Sequence, residues 1–200
     1  IDALTKLADF ETDPDALAFA AQKLQELGAD VSLLAKRRGF ITKWSIVGPF
    51  PNENNSAFNK AIIAADAVDV SKPVNVEGKD YAWKEVATTP LPAVVNLQAQ
   101  FDPNQNVAAY AFAQVNMAQA TPAVLLIGSD DGCEVWVNGA QVHAVDTPRG
   151  LKVDQDAVNI DLKQGVNIVL VKILQGGAAW EFCVRLADRN GTPLDLSTQP

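Results

Sequence analysis

The feature that most constrains the fold is a pair of valine-rich segments joined by Asn138-Gly139. Residues 134–137 and 141–145 both alternate between core-type and other side chains. Asn-Gly is the dipeptide that a two-residue type I′ turn favours, because both central residues of that turn need a positive φ. The pattern therefore predicts a β-hairpin whose turn lies at residues 138–139.

Short strands with turns between them account for most of the remaining chain. Their hydrophobic residues recur with a period of two, and Gly, Asn, Asp or Pro separate them. Because no helices are interleaved, the pattern predicts an antiparallel β-sandwich. Apart from the hairpin, the predicted strands cover residues 41–47, 81–86, 94–97, 107–115, 123–127, 158–162, 166–174 and 180–186.

The first 39 residues have the pattern of helices instead. Asp13-Pro14 predicts a helix start and Gly28 its end, and a second short helix is expected over residues 30–38. We therefore divide the chain into a helical segment at 1–39 and a sandwich at 40–200. The helices either pack on the sandwich or form the tail of a helical array. Residues 51–80 are predicted to be a long irregular excursion.

Four motifs carry a resemblance to known proteins. They are WSIVGPF at 44–50, GSDDGCEVWVNG at 128–139, GVNIVLVK at 165–172 and WEF at 180–182. Together they resemble the galactose-binding-like jelly-roll modules of large secreted bacterial proteins. They are similar to the sugar-binding domain of β-galactosidase-type glycosidases and to the lectin module named after anthrax protective antigen.

The resemblance extends over about residues 44–191 and implies a mainly β, jelly-roll fold. It implies a non-catalytic accessory role, usually carbohydrate recognition, in a larger protein exported to the periplasm or outside the cell. The partners would be a glycan and other domains of the same parent chain. The same sandwich also serves as a spacer or docking surface, so a structural or protein-docking module without a sugar ligand is the alternative.

Charge and composition exclude several other classes of function. Sixteen Lys and Arg against 24 Asp and Glu give a net charge of −8, which disfavours nucleic acid and anionic membrane surfaces as partners. One His and two Cys are few for a zinc site. No hydrolase or nucleotide-binding motif is present. Adjacent aspartates on one turn also do not suit a glycosidase, whose two carboxyl groups must lie across a cleft.

Asp130 and Asp131 are the first candidate site residues. In the lectin module that the chain resembles, a paired Asp holds calcium and contacts the sugar, so calcium is the cofactor that the resemblance implies here. Asp154 and Asp156 are the candidates for further oxygen ligands, because a calcium site needs several. The alternative is that Asp130-Asp131-Gly132 forms only a turn.

The other candidate ligand-binding residues are Trp136, Asn138, Arg149 and Trp180. Trp136 shares a strand face with Asn138, opposite the valines, so it is the outward candidate for an aromatic platform under a sugar. Trp180 adjoins a Gly-rich loop, although core packing is the commoner place for a large aromatic residue. Arg149 offers a guanidinium to hydroxyls or a carboxylate, or it forms only a surface ion pair.

The remaining chemistry-bearing residues have less specific interpretations. His143, on the second hairpin strand, is expected to be a hydrogen-bonded residue and not a ligand. Cys133 and Cys183 lie on strand faces with opposite surroundings, which predicts two free thiols.

Overall fold

The computed structural model describes residues 4–5 and 14–198. It contains helices α1 (Pro14–Glu26) and α2 (Val31–Arg37), a short 3₁₀ turn (Glu53–Asn55) and twelve strands. The strands are β1 (Lys43–Pro51), β2 (Val74–Val76), β3 (Lys79–Tyr81), β4 (Lys84–Ala87), β5 (Val95–Asn96), β6 (Val107–Met117), β7 (Thr121–Ser129), β8 (Cys133–Val137), β9 (Ala140–Val145), β10 (Asp156–Leu162), β11 (Gly165–Gln175) and β12 (Glu181–Ala187).

Two antiparallel sheets face each other across one hydrophobic core. One sheet has the order β4-β1-β6-β11-β8-β9 and the other β10-β7-β12-β5. The core takes alternate side chains from both sheets, for example Val135 and Val171 from one and Ile127 and Val184 from the other. This alternation is what a two-sheet sandwich requires. The predicted class, a mainly β antiparallel sandwich with an N-terminal helical segment, is confirmed.

The predicted hairpin joins β8 and β9. Asn138 has φ 52° and Gly139 has φ 86°, as a turn with two left-handed residues requires. Strand β1 differs from its prediction, because it continues through Gly48-Pro49 to Pro51. Its pairing with β6 shifts between Val47 and Phe50, so a bulge accommodates the two residues that were expected to end the strand.

The two helices pack on the outside of the four-stranded sheet. Asp30 caps α2, its Oδ1 accepting a hydrogen bond of 3.0 Å from the Ser32 amide. Buried residues of both helices form a second cluster with Phe40 and Cys183. The predicted cap at Asp13 lies outside the described residues. Neither helix in the described part of the chain is long and apolar enough to cross a membrane.

The excursion at 51–80 covers the outer face of the six-stranded sheet. It contains the small β2–β3 hairpin, which the sequence pattern does not predict. Its Ile62 and Ile63 pack against a third cluster that includes Tyr110 and Phe112, and the Ile62 amide donates to Tyr110 Oη at 3.2 Å. Both faces of this sheet are therefore covered, which explains why β6 and β11 are apolar on both sides.

Candidate functional site

An open groove of about 540 Å³ lies where several strand-connecting loops meet. We call it the polar groove, because amide and carboxyl side chains dominate its lining. Those side chains belong to Asn52, Asn54, Asn55, Asn106, Asp131, Asp146 and Gln175. Gly132, Thr147, Pro148, Leu174, Gly176 and Gly177 complete the lining. Its volume is within the usual range for small-molecule sites.

Asp131 holds two walls of the polar groove together. Its Oδ2 accepts a hydrogen bond of 2.8 Å from the Gly176 amide, and its amide donates to the Arg149 carbonyl at 2.7 Å. A longer contact of 3.4 Å joins the Arg149 amide to Asp131 Oδ1. The β7–β8 loop is thereby fixed to both the loop after β9 and the loop after β11.

The opposite wall is built from asparagines. Asn52 Oδ1 accepts from the Ala57 amide at 2.9 Å, and the Asn52 amide donates to the Asn106 carbonyl at 2.8 Å. Asn55 Nδ2 reaches the next loop and donates to Asp146 Oδ1 at 2.6 Å. These contacts position the exposed Asn54 at the rim, where its amide is available to a ligand.

Four residues of the polar groove have a left-handed backbone. They are Asn54 (φ 51°), Asn55 (φ 60°), Asn106 (φ 51°) and Asp131 (φ 57°). Asn and Asp adopt this conformation at lower cost than other side chains. Strained residues of this kind cluster at functional sites, so the backbone supports a functional role for the polar groove independently of its side chains.

Gln175 supplies a buried acceptor without a partner. Its Nε2 donates to the Asn104 carbonyl at 3.1 Å and to the Ala178 carbonyl at 3.3 Å, whereas its Oε1 has no hydrogen-bond partner in the part of the chain that the structure describes. The side chain is fully buried, and an unsatisfied buried group costs about 1–3 kcal/mol. A ligand hydroxyl would reach this oxygen only after the buried side chain had moved toward the groove.

The two adjacent aspartates lie in different surroundings. Asp130 is 8% exposed and is not part of the groove lining. Burial, followed by the charges of Asp131 and Glu181, raises its pKa to about 6, although a hydrogen bond from the Leu151 backbone opposes the shift. Only Asp131 of the pair therefore faces the polar groove.

Asp130 makes stability depend on pH. Because its pKa is raised in the folded state, the folded protein holds this proton more tightly than the unfolded chain. The resulting stabilisation is complete below the unfolded pKa near 3.8 and is lost as the pH rises through about 6.

We expect Asp130→Asn to remove this dependence. The free energy of unfolding of the wild type, relative to the variant, should fall by about 2 kcal/mol between pH 4 and pH 7 in urea titrations. A constant difference between the two proteins over that range would contradict this assignment.

The predicted calcium ligands do not assemble. Asp154 binds Arg185, whose Nε donates to Asp154 Oδ1 at 2.7 Å. Asp156 binds the Arg149 guanidinium, with contacts of 3.2 and 2.6 Å. In residues 4–5 and 14–198, no three of the four predicted carboxylates bring ligand atoms within 4.8 Å of one another. The guanidinium groups of Arg185 and Arg149 neutralise these two carboxylates instead. The sequence does not predict these two ion pairs.

Neither of the two tryptophans predicted as an aromatic platform presents a free face in the polar groove. Trp180 is fully buried in the core against Phe101, with ring centroids 5.5 Å apart, so it offers no face to a ligand. Trp136 does lie on the outer face of its sheet, but the excursion partly covers it and its ring stacks on Tyr110 at 6.2 Å. Within the described residues, no aromatic side chain lines the polar groove.

The last two candidates have structural partners. Asn138 is exposed in the hairpin turn, but its Nδ2 donates to Asn167 Oδ1 at 2.9 Å and its Oδ1 accepts from the Ile168 amide at 3.0 Å. Arg149 borders the polar groove with its backbone, while its guanidinium points to Asp156 and Ser129. The sequence patterns do not single out the groove asparagines or Gln175 as candidates. The asparagine-rich segment 52–59 is the sequence signal that points to some of them.

Comparison with known proteins adds only distant similarities. No protein-family model matches the chain, and no curated protein is similar to it. Among solved structures, the PA14 domain of the MpAFP antifreeze protein is 19% identical, with a TM-score of 0.38 over 46% of this chain and 50% of that one. An anti-sigma factor domain-containing protein is 12% identical, with a TM-score of 0.43 over 80% of this chain and 47% of that one. A family 35 carbohydrate binding module from Clostridium thermocellum is 18% identical, with a TM-score of 0.34 over 43% and 74%. Similarities of this size assign neither a family nor a ligand to the chain.

Proposed function

We propose that this chain is a non-catalytic carbohydrate-binding module whose polar groove holds a sugar. The observation that carries the proposal is an open groove in which asparagine amides and the carboxylates of Asp131 and Asp146 converge. Beneath it lies the buried Gln175, whose Oε1 has no partner among the described residues. Sugar hydroxyls both donate and accept hydrogen bonds. Asparagine amides match them in both roles, and the carboxylates of Asp131 and Asp146 accept.

The charges of the polar groove narrow the class of sugar. Asp131 and Asp146 are both acceptors when ionised, and no lysine or arginine side chain belongs to the described lining. A uronic acid or sulfated sugar would therefore meet like charges without a cation to bind it. The exposed Pro148 offers apolar surface to the C–H side of a ring. Neutral sugars are the expected ligands.

The parent protein, its location and the role of calcium belong to the same proposal. The motifs at 44–50, 128–139 and 165–172 resemble modules of large exported proteins, so we infer a parent protein in the periplasm or outside the cell, with its other domains as partners. Calcium assistance is retained as a prediction, with Asp131 as its one predicted ligand in the polar groove.

A protein-docking module is the second candidate, and exposed apolar residues on the helices and in the turn after α1 favour it. Phe19 is 60% exposed, Leu27 54% and Leu33 41%. In that case the ligand would be a protein surface and the polar groove would bind no sugar.

The proposal is tested with a glycan array and a pull-down on insoluble polysaccharides, each run in calcium and again in chelator. We expect binding to neutral glycans and none to uronic acid polymers. Calcium-independent binding would support the sugar site and remove calcium from it. Absence of binding in both buffers would contradict the proposal and favour the docking module.

A matched pair of aspartate variants locates the binding. Asp146→Ala removes an acceptor from the rim of the polar groove and releases Asn55. We expect it to weaken binding of the best glycan about fivefold to tenfold, the equivalent of one hydrogen bond. Asp161→Ala is the control, because Asp161 is exposed on β10 in a surface ion pair with Arg189. Equal loss in both variants would place the site elsewhere.

A further inference from the structure

The single histidine, one of the two cysteines and an aspartate meet at the open edge of the sandwich. Cys133 begins β8, His143 lies on β9 and Asp156 begins β10. Strand β9 is an edge of the six-stranded sheet and β10 is an edge of the four-stranded sheet. The cluster therefore spans the gap between the two sheets, outside the polar groove.

The strand register explains how the three residues meet. Cys133 pairs with Val145, and Val135 pairs with His143. Residues directly opposite each other in a sheet share a face, as do residues two apart along a strand. Cys133 and His143 are therefore diagonal neighbours on one face of the β8–β9 hairpin, and Asp156 approaches that face from the other sheet.

The distances suit one small cation. One ligand atom from each residue lies within 4.8 Å of the other two, and His143 Nε2 is 3.1 Å from Asp156 Oδ2. Ligand bonds of about 2.0–2.3 Å in tetrahedral geometry place neighbouring ligand atoms roughly 3.3–3.6 Å apart. The nitrogen and oxygen are thus already near that separation, and the sulfur has at most about 1.5 Å to move.

We propose that Cys133, His143 and Asp156 form a binding site for a zinc-class divalent cation, with a fourth coordination position open. A thiolate, an imidazole and a carboxylate are ligands that zinc accepts together. Calcium and magnesium prefer oxygen ligands alone, so this donor set selects against them. The site shares Asp156 with the predicted calcium ligands, but its sulfur and nitrogen donors suit a different class of cation, and it does not depend on sugar binding.

The surroundings provide the outer contacts that such a site needs. Arg149 donates to Asp156 Oδ1 at 3.2 Å and to Oδ2 at 2.6 Å. A cation on Oδ2 has to displace the 2.6 Å contact of Arg149 from that oxygen, whereas the Oδ1 contact remains and orients the carboxylate. Binding replaces the Cys133 thiol proton, which leaves to solvent, and uses neutral His143 and ionised Asp156. Entry is from the side of His143 and Asp156, whose side chains are 19% and 20% exposed.

Cobalt is the probe, because a thiolate ligand gives Co²⁺ a near-ultraviolet charge-transfer band. The chain is freed of metal with chelator and titrated with Co²⁺, and Zn²⁺ is then added to displace it. We expect one Co²⁺ per chain, a thiolate band, and stoichiometric displacement by Zn²⁺. Cys133→Ser should remove the band and His143→Gln should weaken binding at least about tenfold. Cys183→Ser is the matched control and should change neither, because Cys183 is buried in the separate cluster under the helices.

Four results would overturn the proposal. They are the absence of Co²⁺ binding by the wild type, a cobalt spectrum without a thiolate band, unchanged binding in Cys133→Ser, and equal loss in Cys183→Ser. If Cys133→Ser fails to fold, as circular dichroism would show, His143→Gln decides the question through its affinity, since His143 lies at the partly exposed edge. Glycan binding is measured without added Zn²⁺ or Co²⁺, so the two proposals fail separately.

Discussion

Replacing Lys172 with methionine should lower the free energy of unfolding by about 3–5 kcal/mol, which is the usual cost of leaving a buried charge unpaired. Lys172 is fully buried and Glu134 is 2% exposed, and the two form an ion pair. Lys172 Nζ also donates to the carbonyls of Ala57 at 2.7 Å and Lys60 at 3.0 Å. Burial lowers the pKa of Lys172 despite the opposing effect of Glu134. The Glu134 carboxylate and the two backbone carbonyls therefore have to compensate the ammonium for its lost hydration.

The measurement is urea unfolding, with the midpoint and the slope compared between wild type and variant. Lys72→Met is the matched control. Lys72 also forms an ion pair, with Asp69, but its side chain is 77% exposed, so its replacement should leave the unfolding midpoint nearly unchanged. The double variant Lys172→Met/Glu134→Leu should recover part of the loss, because it leaves no unpaired charge. A loss below about 1 kcal/mol in Lys172→Met would contradict this role for the pair.

Asp131→Ala should weaken glycan binding about tenfold to a hundredfold, the equivalent of roughly 1.4–2.8 kcal/mol. The variant loses the contacts to the Gly176 and Arg149 amides that join two walls of the polar groove. It also places alanine at φ 57°, where asparagine is tolerated better. We therefore expect Asp131→Asn to bind with an affinity between those of the wild type and Asp131→Ala. Isothermal titration with the best glycan from the array measures all three.

Asp130→Asn is the control for this series. Asp130 adjoins Asp131 in the chain but is buried away from the polar groove. Its replacement should leave glycan affinity within about twofold, even though it alters the pH dependence of stability. If both positions reduced affinity equally, the aspartates would act as the pair that the motif suggests, and the separation described above would be wrong.

The parts of the fold that follow from the sequence are those set by local patterns. The turn at Asn138-Gly139 and the alternation of β11 need only neighbours along the chain, and the end of α1 is marked by Gly28. Trp180 was misplaced as a candidate because a Gly-rich loop precedes it, whereas Phe101 from a distant loop covers its ring. Such a contact is invisible to local pattern analysis.

The candidate site was predictable only in part, for the same physical reason. A local motif makes Asp131 a candidate, and the structure places it in the polar groove, but that groove needs loops from 52–55, 106, 146–148 and 175–177 to converge. Arg185 and Arg149 occupy the carboxylates of Asp154 and Asp156 through contacts 31 and 7 residues apart. One histidine and two cysteines are too few to predict a zinc site from composition, yet strand pairing brings His143 within reach of Cys133. Composition gives the number of candidate ligand residues but not their positions in the fold.

The central claim is that a neutral sugar occupies the polar groove. It is tested most directly by following backbone amide resonances while the best-binding glycan is titrated into the labelled chain. The account predicts that the largest shifts fall on Asn54, Asn106, Gly132, Gly176 and Gly177, which line the polar groove. Shifts centred on Phe19, Leu27 and Leu33, with the polar groove unchanged, would contradict it.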